Sequence, residues 1–165
     1  GFVEAPFPGP IALDGNLTES LLNQIVKHPA FKAADLRIAP ASPGKAERLL
    51  PFLKAGRGGI FVNLEEAGIL CQTTFSNAPQ AGAALLQRGA ARALVTDGGN
   101  VTCDATQDGI LAERPPEVMV TRVTGAGDTF MAAHIASELR GASRDTALHR
   151  ALATAAAYVA GGSGT

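Results

Sequence analysis

The strongest constraint on the fold is the alternation of short apolar segments with helical periodicity along most of the chain. Apolar runs of a few residues bounded by Gly, Pro or Asn indicate buried strands. We predict strands at residues 10–14, 36–39, 59–62, 93–96 and 118–120. Because helical segments separate them, they belong to βαβ units, which form a mostly parallel sheet covered by helices on both faces. The predicted fold class is therefore α/β.

Segments with helical periodicity lie between the predicted strands. Thr18 is placed to cap the first of them. Residues 45–54 form a second, which Pro51 kinks or splits. Ser76 is placed to cap a third helix that ends at Gly89, a position that glycine favours.

The last part of the chain is predicted to be mainly helical, after a polar hairpin over residues 98–111. Residues 127–139 are apolar on nearly every side, which predicts a buried helix. Ser143 is placed to cap the final helix and Gly161 to end it. Three charged residues are predicted on the solvent side of that helix: Arg144, Asp145 and Arg150.

The composition excludes several classes of protein. The 165 residues are 46% hydrophobic and carry a formal net charge of −1. Disordered chains are poorer in apolar residues, membrane spans need about 18 uninterrupted apolar residues, and nucleic-acid-binding domains are usually basic. We therefore expect neither a nucleic-acid partner nor a membrane partner. Cys71 and Cys103 have no metal-ligand or redox spacing, so a reducing, cytoplasmic location is expected.

The charged fraction is low for an independent domain. Soluble domains contain about 25% charged residues, whereas this chain contains 18%. Either a partner covers much of the surface or the chain is part of a larger protein. The second interpretation also fits the two ends, since the chain starts without Met and ends in Gly-Gly-Ser-Gly-Thr.

Residues 124–130, Thr-Gly-Ala-Gly-Asp-Thr-Phe, carry the clearest chemical signal. Small residues lead directly into a helix, whose first N–H groups are unsatisfied and partly positive. Glycines let a phosphate approach that backbone, so an anion hole is predicted. Asp128, at its mouth, can accept a proton from a hydroxyl group or help to hold a cation. The alternative is a plain glycine turn with Asp128 as a helix cap.

Two other glycine motifs do not fit the sequence. A dinucleotide-binding fingerprint needs a small residue where Phe130 stands and an acidic residue about 20 positions later. A phosphate loop of the Gly-x4-Gly-Lys-Ser/Thr type is absent. These absences count against the alternative of a dinucleotide-dependent oxidoreductase.

Four segments resemble those of the ribokinase-like (PfkB) carbohydrate and nucleoside kinases, in the family's order. Residues 124–130 resemble the C-terminal Gly-Ala-Gly-Asp signature. Residues 63–66, Asn-Leu-Glu-Glu, resemble the Asn-x-x-Glu motif, and residues 96–98, Thr-Asp-Gly, resemble the Thr-x-Gly motif. The Ala-rich segment 147–160 resembles the helix that borders the adenine pocket.

The resemblance implies a three-layer α/β/α fold of the ribokinase-like kind. Residues 1–165 would be its C-terminal nucleotide-binding portion, with the N-terminal part and the lid outside the chain. The resemblance is also compatible with a homodimer formed through that lid. The chain alone is expected to be inactive.

The resemblance also implies a chemistry, the transfer of a phosphoryl group from ATP to a hydroxyl group of a sugar or nucleoside, with ATP and Mg²⁺ as cofactors. Asp128 would accept the proton of the hydroxyl group. The backbone of Gly125, Ala126 and Gly127 would stabilise the charge on the transferred group.

Four further residues receive roles from the same resemblance. Asn63 and Glu66 would orient Mg²⁺, mainly through water, and Thr96 and Gly98 would contact the ATP phosphates. The alternative for Asn63 and Glu66 is a loop followed by a solvated helix start. The alternative for the whole site is a non-catalytic nucleotide-binding or assembly module that uses the same anion hole.

Two segments favour an acceptor within the family. Residues 14–17, Asp-Gly-Asn-Leu, and residues 40–46, Pro-Ala-Ser-Pro-Gly-Lys-Ala, look most like those of pseudouridine kinases. Pseudouridine or a related sugar is therefore the favoured acceptor. A helix cap at Ser42 and a surface lysine at Lys45 are the alternatives.

The chain departs from the family signature just before the anion hole. Arg122 and Val123 stand where the family usually has Asp-Thr. This change reverses the local charge and leaves the loop geometry open.

Overall fold

A computed structural model describes residues 9–161 of the chain. Their strands form one sheet, in which neighbouring strands follow the chain order. The first four pair in parallel and the last two form an antiparallel hairpin. The predictions of a mostly parallel sheet and of a hairpin after the fourth strand are therefore confirmed. The strands are β1 (Pro10–Asp14), β2 (Asp35–Ala39), β3 (Gly59–Asn63), β4 (Arg92–Thr96), β5 (Thr102–Thr106) and β6 (Gly109–Glu113).

Helices fill the connections between these strands and follow the hairpin. Two 3₁₀ segments, Pro29–Phe31 and Pro43–Leu49, accompany them. None of the helices within residues 9–161 is both long and apolar enough to span a membrane. The α-helices are α1 (Glu19–Lys27), α2 (Leu50–Ala55), α3 (Leu64–Cys71), α4 (Ala78–Gln87), α5 (Ala126–Leu139) and α6 (Arg144–Val159).

Two apolar layers hold the sheet between helices. Successive side chains along a strand point to opposite faces. Ile60 and Val62 therefore pack in the layer that includes α1 to α4, whereas Phe61 packs in the layer formed with α5 and α6. This is the predicted three-layer α/β/α fold, and it places the ends of β1 to β4 along one edge of the sheet.

The predicted helix boundaries hold where side-chain chemistry defines them. Thr18 caps α1 by accepting a hydrogen bond from the amide of Leu21. Pro51 marks a split, since the 3₁₀ segment ends just before it and α2 tolerates a proline in its first turn. The prediction of Ser76 as a cap is wrong by one residue, because Asn77 accepts the hydrogen bond from Gln80 instead.

The strand predicted at residues 118–120 is wrong. These residues have no strand structure, and Met119 is 83% exposed. Pro115 and Pro116 lack the N–H groups that a further sheet strand needs. The segment instead passes beside a cavity at the edge of the sheet, where Val118 and Val120 form part of the wall.

Two predictions about α5 and α6 need correction. Helix α5 is buried only along one stripe that includes Phe130 and His134, whereas Leu139 is 62% exposed. The prediction counted its many alanines as buried apolar residues, although alanine also tolerates exposure to solvent. Arg144 does not lie only on the solvent side of α6, because its Nη2 donates to the carbonyl of the buried Asp104 at 2.9 Å.

Candidate active site

The glycine turn of residues 125–127 opens α5 at the edge of the sheet. Gly125 occupies the N-cap position with a φ of +90°, in the left-handed region that favours glycine. It has no side chain with which to satisfy the first amides of the helix. The amide of Ala126 donates to the carbonyl of Val123 at 3.1 Å. The amides of Gly125 and Gly127 have no acceptor among residues 9–161 and are available to an anion.

Asp128 lies on the first turn of α5 and is exposed. Because Gly125 is the N-cap, Asp128 does not have the capping role that was its alternative interpretation. A carboxylate in the first turn is favoured by the helix dipole. It lies beside the available amides and can face a group bound to them.

A contact between aromatic rings fixes the position of this turn over β3. The ring of Phe130 meets that of Phe61 edge-on, with centroids 6.2 Å apart. Phe61 lies two residues before Asn63, and Phe130 two residues after Asp128. The packed pair therefore holds the start of α5 near the end of β3.

Asn63 and Glu66 form a reciprocal capping box at the start of α3. The Asn63 side chain accepts from the Glu66 amide at 2.8 Å, and the Glu66 carboxylate accepts from the Asn63 amide at 2.8 Å. Glu66 is 7% exposed, and burial raises its pKa. The helix start of the alternative interpretation is thus present, with Glu66 buried and Glu65 exposed.

The capping box leaves oxygen atoms for a hydrated cation. It uses only Oε1 of Glu66, so Oε2 is available. Within the described part of the chain, no three His, Cys, Asp or Glu side chains cluster around a possible metal. A Mg²⁺ ion here would therefore need phosphate oxygens and water as its other ligands, which is its usual preference.

A cavity of about 550 Å³ joins the end of β4 to the start of α5. Thr96 and Gly98 line it from the strand side, and Ala126 and Gly127 line it from the helix side. Asn63 is the register partner of Thr96 in the sheet, although it does not line the cavity. Gly125, Asp128 and Glu66 are also outside its wall.

The apolar wall of this cavity comes partly from residues that sequence reasoning missed. Pro115 and Pro116 precede the segment 118–120 that was wrongly predicted as a strand. Because prolines break a strand pattern, they were a signal that this segment lies outside the sheet. The missed wall residues are Pro115, Pro116, Val118 and Val120, and the Ala-rich helix adds Leu152, Ala155, Ala156 and Val159.

The ends of β1 and β2 carry a separate polar group of residues. Lys45 Nζ donates to Asn16 Oδ1 at 2.7 Å, and Arg48 donates to the carbonyl of Gly15. Ser42 stands at the N-cap of the 3₁₀ segment without a side-chain capping bond. Lys45 is therefore engaged with the β1 loop rather than being a free surface lysine.

Comparison with known proteins identifies the family of the chain. The family model described as pfkB family carbohydrate kinase matches residues 13–165, and the chain belongs to that family. No curated protein sequence matches the chain significantly.

Solved structures show the same ribokinase-like fold. A carbohydrate kinase from Agrobacterium tumefaciens is 25% identical with a TM-score of 0.75, over 92% of this chain and 48% of that one. Ribokinase from Thermotoga maritima is 17% identical with a TM-score of 0.78, over 92% and 50%. Adenosine kinase from Trypanosoma brucei brucei is 17% identical with a TM-score of 0.76, over 91% and 51%. The chain therefore spans about half the length of these proteins.

Proposed function

We propose that the protein carrying this chain transfers the γ-phosphoryl group of ATP to a hydroxyl group of a sugar or nucleoside. The observation that carries this proposal is the cavity of about 550 Å³ whose wall includes Gly127, with its available amide at the start of α5. Its apolar wall fits a nucleoside base, and its glycine-rich end fits phosphates. The membership of the pfkB family supports the same reaction class.

One end of the cavity would bind the base of ATP and the other end its phosphates. Leu152, Ala156 and Val159 offer an apolar surface on which a base can lie. Thr96 and Gly98, where β4 ends, offer a hydroxyl and an approachable backbone to the phosphates. The γ-phosphate would then point toward Gly127.

The transfer needs a proton acceptor and a place for negative charge. Asp128 takes the proton of the acceptor hydroxyl while the oxygen of that hydroxyl attacks the γ-phosphorus. The new O–P bond forms while the bond to the β–γ bridging oxygen breaks, giving the phosphorylated acceptor and ADP. The amides of Gly125 and Gly127 stabilise the charge on the transferred group, and Ala126 shapes the turn.

Asn63 and Glu66 would hold a hydrated Mg²⁺ beside the phosphates. When bound, the ion supplies neutralisation of phosphate charge. The two hydrogen bonds of the capping box orient both side chains before any ion binds.

For the acceptor, we propose pseudouridine or a related sugar. The support is local: Asn16 and Lys45, in the two segments that resemble pseudouridine kinases, are hydrogen-bonded at the same edge of the sheet as the turn. The structural neighbours include enzymes named for different substrates, among them ribokinase and adenosine kinase. The fold therefore does not select the acceptor.

The test is ADP release by the intact protein that carries this chain, with Mg²⁺, ATP and a panel of nucleosides and sugars. We expect turnover with at least one acceptor, fastest with pseudouridine or a close relative. ATP binding without turnover on any acceptor would instead support a non-catalytic module. Turnover confined to unrelated acceptors would reject only the pseudouridine assignment.

A further inference from the structure

The loop that precedes the glycine turn is attached to the end of α6. The amides of Thr121 and Arg122 both donate to the carbonyl of Val159, at 2.7 and 3.2 Å. The last carbonyls of a helix have no partner within the helix. The loop therefore supplies the C-terminal cap of α6, and the two elements are fixed to each other.

Tyr158, in the last turn of α6, connects this cap to the turn itself. Its hydroxyl donates to the carbonyl of Thr124 at 2.6 Å. The guanidinium of Arg122 lies over its ring, 3.9 Å from the centroid, and Arg122 Nε donates to the Tyr158 carbonyl at 2.8 Å. A cation at the end of a helix also meets the negative end of the dipole. Arg122 therefore contacts Tyr158 at two points, the face of its ring and its backbone carbonyl.

The hydrogen bond to Thr124 controls the direction of the next amide. The carbonyl of Thr124 and the N–H of Gly125 belong to one planar trans peptide and point in opposite directions. Holding the carbonyl thus aims the N–H. Glycine readily adopts backbone conformations of either sign of φ, so without this bond the peptide before Gly125 could rotate.

The fit around Gly125 is close as well. A Cβ atom on this residue would lie 2.5 Å from the Tyr158 hydroxyl. The hydroxyl therefore binds the Thr124 carbonyl and also occupies the space that a side chain at position 125 would need.

We propose that Tyr158, supported by Arg122, is a positioning residue that keeps the Gly125 amide aimed at the transferred phosphoryl group. This inference rests on the proposed kinase function. Neither residue lines the cavity. They act through the orientation of one peptide group.

The test compares Tyr158→Phe with Thr154→Ala in the intact protein. Tyr158→Phe keeps the ring under Arg122 and removes only the hydroxyl. Thr154→Ala removes a hydroxyl from the same helix, where among residues 9–161 it bonds only to the carbonyl of Arg150. We expect Tyr158→Phe to lower kcat about tenfold, equivalent to about 1.4 kcal/mol, with the KM of the acceptor unchanged. Thr154→Ala should leave kcat within twofold.

Two further measurements separate positioning from simple stabilisation. If Tyr158→Phe lowers the melting temperature but leaves kcat within twofold, the positioning role is wrong. If Tyr158→Phe does not fold, Arg122→Ala and Arg122→Lys replace it. Both should lower kcat at least threefold, and a kcat within twofold of wild type for both would reject the role.

The inference can be tested even if the proposed function fails. If no acceptor supports turnover, the affinity for ATP relative to AMP is measured instead, since only ATP extends its phosphates to the turn. Tyr158→Phe should lower this ratio at least threefold. An unchanged ratio would overturn the inference, whereas the absence of turnover would count only against the kinase proposal.

Discussion

Asp104 shows how single residues attach the two helices of the second layer to the sheet. It is fully buried and accepts hydrogen bonds from Arg92 at 2.9 and 2.7 Å. Arg37 and Arg92 both reach Glu138 on α5, at 2.7 and 2.8 Å. Burial raises the pKa of Asp104, but the hydrogen bonds from Arg92 and Arg144 outweigh it and hold that pKa below its ordinary value.

Removing this carboxylate should be costly. Asp104→Ala removes one of the two carboxylates that Arg92 binds, together with a partner of Arg144, at a buried site. We therefore expect a loss of about 3 kcal/mol in the free energy of unfolding. Urea denaturation measures it. The control Asp108→Ala, in the exposed turn of the hairpin, should change stability by less than about 0.5 kcal/mol. Equal effects of the two substitutions would contradict the role of the ion pairs.

His134 predicts a particular dependence of stability on pH. It is fully buried between Phe61 and Phe130, and burial lowers its pKa to about 4. The unfolded chain takes up this proton at about pH 6.5, so the native state loses stability as the pH falls from there towards 4. His134→Gln should flatten the curve in this window, as measured by urea denaturation at a series of pH values. A curve unchanged by His134→Gln would contradict the assignment.

At the scale of elements, the contact between α4 and β5 depends on a residue without a side chain. A Cβ atom on Gly82 would lie 2.8 Å from Cys103 Sγ and 3.0 Å from the Cβ of Ala105. Both neighbours belong to a strand in the first apolar layer. The helix can therefore pack closely only because position 82 is glycine.

Gly82→Ala should destabilise the chain despite the better helix propensity of alanine. Overpacking of a core costs about 1–3 kcal/mol, and the propensity gain returns about 1 kcal/mol. We expect a net loss of up to about 2 kcal/mol by urea denaturation. Gly44→Ala is the matched control, because nothing lies within 4 Å of its Cβ position. A gain in stability for Gly82→Ala would show that α4 moves away without cost.

Elements with local chemical signals could be predicted from the sequence, and elements defined by their neighbours could not. Thr18 marked the start of α1, and the apolar runs marked β1 to β4. The start of α3 was predicted only as the alternative interpretation of Asn63 and Glu66, because its capping box lies within the motif that resembled a magnesium site. The segment at 118–120 has strand-like residues, yet tertiary context makes it a cavity wall.

The candidate site was predicted as a set of residues, but not as a geometry. Thr96, Gly98, Ala126 and Gly127 do line one cavity. The sequence could not show that the amide of Ala126 is engaged by Val123, or that Tyr158 reaches the turn from another helix. Such contacts depend on how α5 and α6 pack, which no local pattern records.

At the scale of the whole molecule, the chain is about half as long as the structures it resembles. The side chains of β1 that point away from the first apolar layer are exposed, and no residue of β1 belongs to the second layer. We therefore propose that residues 1–165 are the nucleotide-binding portion of a larger kinase domain. The low charged fraction of 18% agrees with this proposal.

The isolated chain should then lack catalytic activity. We expect no ADP release above background from the 165-residue chain with any acceptor, while the intact protein turns over. Substrate contacts from outside the chain are the physical reason. Equal turnover by both proteins would show that the chain contains a complete active site.

The most direct test of the proposed phosphoryl transfer is the kcat of Asp128→Asn in the intact protein. The amide keeps the size of the side chain but cannot accept the hydroxyl proton, so we predict a fall of about 10²–10⁴-fold in kcat. The affinity for ATP should stay within threefold, and the Asp108→Asn control should match wild type. A kcat of Asp128→Asn within twofold of wild type would contradict the assignment of Asp128 as the base.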